Sequence, residues 1–451
     1  MARRTNVTLL IVVVFALAAG LAGARTITVG SGAGYDFAAI QAAIDDSNDG
    51  DIVIVGPARY YENINFKGRN IVLASIDPVD QNIVATTIID GNDVKSVVTF
   101  AGTENSSCVL RGFTITGGYA ELGGGVCGNG TMATIENNVI VGNLVEKPPP
   151  PLIPQCYGAG LYDCDGLIQN NIVMGNTAAY MGHGGGMYDC DGTIRNNVIS
   201  RNSADCGGGL SLCDGIILNN LLVGNFGVYA GAFADCNGTI INCTVVGNNL
   251  NGLKNCVGTI KNCIIWYNDA DGNDQLNGCN TPSYSCIDSW AGGGVGNVSS
   301  DPCFASVGYW QLVDEGGYWW WKWVDDDIDY HLQSQAGRWD PNINAWVTDT
   351  NTSTCIDTGD PNSDWTAELW PHGKSINMGA YGGTTQASMS LSPSGNIADL
   401  NNDNFADWQD LKLFAHKWLH EEVLLSEDLD RNAMVNFGDF AIFAENWLWE
   451  Q

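Results

Sequence analysis

Five segments of the chain align without gaps, each running from a cysteine to a closing asparagine. They read CDGLIQNNIVMGN (164–176), CDGTIRNNVISRN (190–202), CDGIILNNLLVGN (213–225), CNGTIINCTVVGN (236–248) and CVGTIKNCIIWYN (256–268). A unit of this length cannot bury its apolar side alone and must stack on its neighbours. The repeat therefore predicts a stack of equivalent coils.

Within each unit, short apolar runs are separated by Asp-Gly, Asn-Gly and multi-glycine turns, without a 3.6-residue period. The 56 glycines also suit a turn-rich β body. Units whose equivalent residues recur once per turn pair their strands in parallel and in register. The sequence therefore predicts an all-β chain folded as a single-stranded parallel β-helix.

Two early segments carry a resemblance to known proteins. GYDFAAIQAAIDDSNDGDIVIVGPARYYENINFKGRNIVLAS (34–75) and VLRGFTITGG (109–118) are similar to the opening coils of secreted bacterial β-helix proteins of the pectin lyase-like superfamily. A later stretch within 329–383 resembles the end of such chains. The resemblance implies a right-handed β-helix over 25–387, with a short helix bearing Ile40, Ala43 and Ile44 over its open end.

The first residues have the pattern of an export signal. Arg3 and Arg4 precede an apolar run that ends at Ala22-x-Ala24, which predicts a signal peptide over 1–24 and a secreted or cell-surface protein. The run is too short for a lasting membrane span, so we expect no transmembrane segment in the mature chain. The proline-rich EKPPPPLIP (146–154) is predicted to be a surface loop.

The net charge of the chain excludes some classes of binding partner. The formal net charge is −31. Such a surface repels nucleic acid and disfavours a polyanionic substrate unless a cation bridges the two. Neutral glycans, cations and proteins remain as partners.

Residues 388–398 form a Ser/Pro/Gly linker, after which the composition changes. Two acidic stretches, DLNNDNFADWQD (399–410) and DLDRNAMVNFGD (428–439), each precede an apolar helical segment in the last part of the chain, 399–451. Calcium takes six to eight oxygen ligands, and alternate loop positions supply them. The predicted ligands are Asp399, Asn401, Asp403, the carbonyl of Phe405, Asp407 and Asp410, and Asp428, Asp430, Asn432, the carbonyl of Met434, Asn436 and Asp439. The alternative is an acidic turn without metal.

The two loop–helix units together resemble a type I dockerin, a module with paired EF-hand-like calcium loops. The resemblance implies Ca²⁺ as the cofactor and a cohesin-like protein as the partner. Three features depart from the pattern. Loop position 6 is Asn404 and Ala433 in place of glycine, positions 10 and 11 are Trp408-Gln409 and Phe437-Gly438 in place of small hydroxyl residues, and the second loop has one carboxylate fewer. Because the second loop has one carboxylate fewer, we expect it to bind calcium more weakly.

Residues that recur with the repeat form columns along the stack, because successive coils lie about 4.8 Å apart. We expect a buried thiol column, with occasional disulfides among Cys279, Cys286 and Cys303. A column of stacked amides is also expected. The predicted thiol column is Cys164, Cys190, Cys213, Cys236 and Cys256, with a second begun by Cys243 and Cys263, and the predicted amide column is Asn137, Asn170, Asn196, Asn219, Asn242 and Asn262.

Aspartates flank the cysteines of several units. Asp189 and Asp191, with Arg195 and Arg201 in the same coil, are the candidates for acid, base or calcium chemistry on a polysaccharide. The alternative is scaffolding, since Asp-Gly is turn chemistry and recurs with the repeat.

An aromatic run lies near the end of the predicted β-helix. Its flat rings are candidates for stacking on sugar rings, beside carboxylates that bond hydroxyls. Alternatively they cover the last coil. The rings belong to Trp310, Tyr318, Trp319, Trp320, Trp321 and Trp323.

Together these features predict a secreted or cell-surface β-helix protein that binds carbohydrate or serves as a scaffold. A calcium-dependent dockerin-like module tethers it to a complex or surface. The alternative is a polysaccharide lyase or glycoside hydrolase acting in the β-helix groove. Fold alone does not choose between them.

Overall fold

The computed structural model describes residues 23–146, 156–269, 275–315, 318–325 and 328–450, without the side chains of residues 315 and 318–320. The predicted signal peptide (1–24) and proline-rich loop (146–154) lie almost wholly outside these ranges. No helix in the described part is long and apolar enough to cross a membrane.

Four sheets of parallel strands make up the body of the protein. Sheet A consists of Thr26–Val29, Ile52–Val55, Val72–Ser75, Val109–Arg111, Thr134–Glu136, Leu167–Gln169, Thr193–Arg195, Ile216–Leu218, Thr239–Ile241 and Thr259–Lys261. Sheet B consists of Ala58–Tyr61, Thr87–Asp90, Thr114–Thr116, Val139–Val141, Ile172–Met174, Val198–Ser200, Leu221–Val223, Thr244–Val246, Ile264–Trp266 and Cys286–Ile287. Sheet C consists of Ile64–Asn65, Val98–Thr99, Val126–Thr131, Leu161–Cys164, Met187–Tyr188, Leu210–Ser211, Phe233–Ala234, Leu253–Lys254 and Leu276–Asn277. The short sheet D consists of Tyr119–Ala120, Leu144–Val145, Thr177–Ala178, Ser203–Ala204 and Phe226–Gly227.

Each coil visits the sheets in turn and pairs in register with the next coil. Ile168, for example, pairs with Ile194, and Ile194 pairs with Ile217. These central positions of sheet A are fully buried, as are their equivalents in sheets B and C. The strand pairing confirms the predicted all-β fold with a parallel β-helix.

A short helix, Ile40–Asp46, covers the first coil. Its Ile40, Ala43 and Ile44 are fully buried in the same core as Val29 and Val53, as the sequence predicted. A second helix, Gln81–Thr86, connects the sheet A strand Val72–Ser75 to the sheet B strand Thr87–Asp90 of the same coil.

Two columns of buried asparagines run along the stack, and the predicted amide column is wrong by one residue. In the first column the Asn197 side chain donates to the Asn220 carbonyl oxygen at 3.0 Å and accepts from Asn171 at 3.0 Å. The preceding residue, Asn196, has a left-handed φ of 54°. Most of the predicted asparagines thus form the turn, and their neighbours Asn138, Asn171, Asn197 and Asn220 form the column. The predicted bond between successive coils is present at Asn262, which donates to Asn242 at 3.1 Å.

The second column consists of the closing asparagines of the repeat. Its members are Asn143, Asn176, Asn202, Asn225, Asn248 and Asn268, each bonded to the next, and Gln275 ends the row. All are buried. The residues that mark the period of the sequence therefore also hold the coils together.

The predicted thiol column is present and fully buried. Cys279 continues it, because its sulfur lies 3.4 Å from the Cys256 nitrogen. All fifteen cysteines lie within the described ranges and are free, so the expected disulfides are absent there. Cys286 instead lies in a buried apolar cluster with Cys355.

After the coils, the chain forms three antiparallel pairs and a long irregular segment. The strands are Phe304–Ser306 with Asp329–Leu332, Tyr309–Glu315 with Tyr318–Val324, and Arg338–Asp340 with Ala345–Val347. The irregular segment then returns to earlier coils: the Asn219 amide donates to the carbonyls of Ala380 (2.9 Å) and Gly382 (2.7 Å). The end of the body is thereby tied to coils about 160 residues earlier.

Two helices, Trp408–His416 and Phe437–Glu445, form a small C-terminal pair, as predicted. Phe414 and Phe443 pack at 5.5 Å in its core. The first residues of the predicted linker are not free of the body, because Ser388 and Ser390 are buried against it.

Candidate functional site

The two C-terminal loops have the same pattern of internal hydrogen bonds. In the first, Asp399 accepts from the nitrogens of Asp403 (3.0 Å) and Asn404 (3.1 Å). In the second, Asp428 accepts from Asn432 (3.1 Å) and Ala433 (2.8 Å). Each loop thus wraps around the carboxylate at its first position.

The last position of each loop supplies a second buried carboxylate. Asp410 and Asp439 are both completely buried. Each completes a capping box at the start of its helix, with Asp407 or Asn436 as the N-cap. The helix starts thereby fix these carboxylates toward the loop.

The second loop brings three carboxylates together. Atoms of Asp428, Asp430 and Asp439 lie within 4.8 Å of one another. Burial raises the pKa of Asp430, and the nearby Asp439 carboxylate raises it further. Burial likewise raises the pKa of Asp399, with Asp410 adding to the effect. Carboxylates held this close together are an oxygen donor set suited to a hard cation such as Ca²⁺, whose charge offsets their repulsion.

The carboxylate count of the first loop includes Asp407, whose side chain accepts from the Gln409 nitrogen at 2.8 Å. Asn436 has the same capping role in the second loop. Positions 3 and 5 exchange an asparagine and an aspartate between the two loops, so the difference of one carboxylate falls at position 9, which is a helix cap in both. The expected order of calcium affinities stays a prediction.

The remaining predicted ligands occupy corresponding places. Asn401 donates to Asp403 at 2.9 Å, and Asn432 donates to Asp430 at 2.9 Å. The residues after Phe405 and Met434 pair each loop with the end of the opposite helix: Ala406 donates to Trp449 (2.9 Å). This reciprocal pairing makes the two loops one unit. At position 6, Asn404 and Ala433 have φ values of 75° and 68°, the conformation for which glycine is usual.

The loops also contact the β-helix body. The Arg431 guanidinium donates to the Trp370 carbonyl at 2.7 Å and to the Asp428 carbonyl at 2.9 Å. Lys374 bonds to the Asn404 side chain. The sequence alone does not indicate these contacts, because the contacting residues are far apart in the chain.

The aromatic run forms a hairpin whose inner tryptophans anchor it to the coils. Trp323 is 6 % exposed and lies against Gly247, where a Cβ would approach the indole to 2.2 Å. Trp310 donates to the Tyr267 carbonyl at 2.9 Å. Trp321, on the same face, is 41 % exposed. Tyr318, Trp319 and Trp320 lie in the second strand, and their side chains are outside the described part.

A groove of about 440 Å³ lies between this hairpin and the coils. Trp310, Trp321 and Trp323 line one side, and Arg201 and Phe226 line the other. Its lining is largely apolar, and the charged side chains in it are Arg201 and Lys322, in place of the carboxylates expected beside the rings. The hairpin thus both covers the side of the stack and opens a groove suited to the faces of sugar rings.

The four candidates for catalysis are spread around the coil. Arg195 donates to Gln169 at 2.9 Å, and Arg201 donates to Asp325 at 2.9 Å. Asp189 and Asp191 follow a sheet C strand, on another side. Burial raises the pKa of Asp189, and neighbouring carboxylates, first Asp191, raise it further. The structure therefore brings together the two aspartates, whereas the arginines bond elsewhere.

Asp191 also belongs to a column of turn hydrogen bonds. Its side chain accepts from the Asp214 nitrogen at 2.7 Å, and its own nitrogen donates to Asp165 at 3.0 Å. Asn237 continues the column by donating to Asp214. This arrangement agrees with the scaffolding interpretation of the Asp-Gly repeat.

Sequence reasoning missed the role of the turn asparagines that bind the returning segment, among them Asn219 and Asn242. The repeated Asn-Asn doublet was the available signal, because two adjacent amides cannot both point into the core. It also missed Glu368, a buried acid whose position in an irregular segment gives no pattern.

No protein-family model matches the chain, and none of the curated proteins compared with it matches either. Among solved structures, the chain is similar to the crystal structure of pectate lyase Pel9A. The identity is 14 %, the TM-score is 0.44, and the match covers 80 % of this chain and 97 % of that one. The assignment of the fold rests on the strand pairing of the chain itself.

Proposed function

We propose that this protein is an exported, glycan-binding β-helix that is attached to a partner protein by a calcium-loaded C-terminal module. The observation that carries the proposal is the matched pair of loops, each with the same internal hydrogen bonds and with buried aspartates at its first and last positions. In the second loop three carboxylates converge. Asp399, Asp410, Asp428, Asp430 and Asp439 would supply the charged ligands. Bound calcium would neutralise their repulsion and hold each loop on its helix.

The attachment role draws on the outer face of the helices. Trp408 is 66 % exposed and Phe437 is 78 % exposed, and they occupy the same position of the two loops. Exposed aromatic rings at equivalent places suit a protein partner. A cohesin-like protein is the proposed partner, on the strength of the dockerin-like loop pattern.

Calorimetric titration of the calcium-stripped full chain tests the calcium proposal. We expect two Ca²⁺ per chain and a gain of helical circular dichroism. Asp410→Asn and Asp439→Asn each remove a buried ligand charge, so each variant should lose one of the two sites.

Asp191→Asn is the matched control, because it removes a β-helix carboxylate and should leave both sites in place. Binding curves that are identical for the wild-type protein and both loop variants would overturn the calcium proposal. So would the absence of any heat.

The glycan proposal rests on the groove beside Trp321. An exposed indole next to an apolar groove offers a stacking face for a sugar ring. We expect Trp321→Ala to weaken binding of the preferred neutral hexasaccharide about tenfold. The urea unfolding midpoint should not change, because this ring is 41 % exposed.

A panel of β-1,4-linked glucose, xylose and mannose hexamers, with a galacturonic acid hexamer, measures this binding. Tyr309→Ala, on the same hairpin and 59 % exposed, is the control that should bind like the wild-type protein. Equal binding by Trp321→Ala and the wild-type protein would contradict the groove assignment. New reducing ends or unsaturated products in the mixtures would favour the lyase or hydrolase alternative.

A further inference from the structure

A second groove follows from the row of turn asparagines. Six of them occupy the same place between sheets A and B, with left-handed φ values from 48° to 55°. They are Asn137, Asn170, Asn196, Asn219, Asn242 and Asn262. The left-handed conformation points each amide outward, away from the buried column formed by the next residue.

The C-terminal half of this row, which begins at Asn219, is covered by the irregular segment that returns to the coils near residues 377–382 (the returning segment). Asn219 donates to two carbonyls of that segment, and Asn242 donates to the carbonyls of Asn377 (3.3 Å) and Gly382 (3.2 Å). Asn262 accepts from the Asp360 nitrogen at 2.8 Å and donates to Ser363 at 3.0 Å. These contacts show that the row binds a polar chain laid along the stack.

The N-terminal half of the row is not covered by the returning segment. Asn170 and Asn196 are exposed, and within the described residues their side chains make no hydrogen bond. Both amides line a groove of about 320 Å³ that begins where the returning segment turns away, at Ala380 and Tyr381. Since adjacent coils are about 4.8 Å apart, the two amides form a short ladder of free donors and acceptors.

The walls of the groove define what fits it. Thr384, Thr385 and Gln386 form one side, and Val198 and Leu221 form an apolar part of the floor. Hydroxyl and amide groups above an apolar floor match the alternating hydroxyl edges and C–H faces of sugar rings. The net charge of −31 favours a neutral chain over a uronate.

We propose that the groove at Asn170 and Asn196 is a second glycan-binding site, which takes a neutral linear oligosaccharide. This inference rests on the proposed glycan-binding function and adds a separate site to it. The returning segment occupies the continuation of the same row, so a bound glycan would extend from its end along the coils.

The test is the double substitution Asn170→Gly with Asn196→Gly. Glycine keeps the left-handed turn and removes both amides. With the neutral hexasaccharide that binds the wild-type protein best, we expect about a tenfold weaker calorimetric affinity for this site. Asn137→Gly is the matched control, because Asn137 has the same φ of 55° and does not line the groove. It should bind like the wild-type protein.

The variants separate the two proposals. Loss of binding with Trp321→Ala alone, and none with the double glycine variant, would overturn the second site and keep the groove at the hairpin. If no glycan binds the wild-type protein, both proposals fail. Binding of a peptide with the sequence of residues 376–386, in place of the hexasaccharides, would also overturn the assignment to a glycan.

Discussion

Asn197→Ala should lower the free energy of unfolding by about 4 kcal/mol. The Asn197 amide donates to the Ile168 carbonyl at 2.9 Å and to Asn220 at 3.0 Å, and its oxygen accepts from the Asn171 nitrogen and side chain. The residue is 1 % exposed. Removal breaks these four bonds in a site that water cannot reach, and each lost bond costs about 1 kcal/mol. The Asn220 side-chain oxygen keeps the Asn197 backbone nitrogen and the Asn171 side chain keeps the Ile135 carbonyl, whereas the Asn171 backbone nitrogen loses its acceptor. Urea unfolding followed by circular dichroism measures the loss.

The neighbouring residue is the control. Asn196→Gly keeps the left-handed turn and removes an exposed amide, so its effect on stability should stay below about 1 kcal/mol. Equal losses for the two variants would show that the column adds no more stability than a turn residue does.

Glu368→Gln should raise stability at pH 8.5 by about 2–3 kcal/mol and change it little at pH 5. Glu368 is 4 % exposed and accepts from the nitrogens of Asn377 and Gly383, both at 2.8 Å. Burial raises its pKa from about 4.5 to about 8. The folded protein therefore keeps a proton that the unfolded chain releases between these values, and stability falls as the pH rises through this window.

Urea unfolding at several pH values and constant calcium measures the effect, and the Glu368→Gln variant should show a flatter profile across this window. Glu62→Gln is the control for a carboxylate that accepts two backbone bonds, from Ile40 and Gln41, in a half-buried place. It should lower stability, the opposite sign to Glu368→Gln at pH 8.5, because the amide replaces one of the two accepting oxygens and leaves one helix nitrogen without its acceptor. A wild-type profile that rises between pH 5 and pH 8 would contradict the burial argument.

The repeat was enough to predict the parallel coils and the thiol column, because both follow from the spacing of equivalent residues. The capping helix came from the resemblance of residues 34–75 and the shared face of Ile40, Ala43 and Ile44. The spacing did not predict which of the asparagines in each coil point into the core. Asn196 takes a left-handed conformation and interrupts the alternation of the strand, so Asn197 turns inward where the spacing placed Asn196. The disulfide expectation failed because Cys286 packs beside Cys355, a neighbour that only the return of the chain brings close.

Among the candidate sites, the sequence predicted only those whose residues lie close together in the chain. The two acidic loops are twelve-residue units, and three aspartates of the second loop converge. The groove at Trp321 needs the hairpin to fold onto the coils, and the open groove at Asn196 needs the returning segment to stop at Tyr381. Such sites are made by contacts between distant parts of the chain, which spacing in one sequence does not reveal.

The return of the chain to the coils also decides how the protein bears a mechanical load. A pull applied through the C-terminal helices acts first on the contacts of Ser388 and Ser390 with the body, and then on the segment that Asn219 and Asn242 hold against the coils. The force then acts in shear on several hydrogen bonds at once and does not peel the last coil away bond by bond. A protein anchored at its C-terminal end would therefore resist extension with its whole stack.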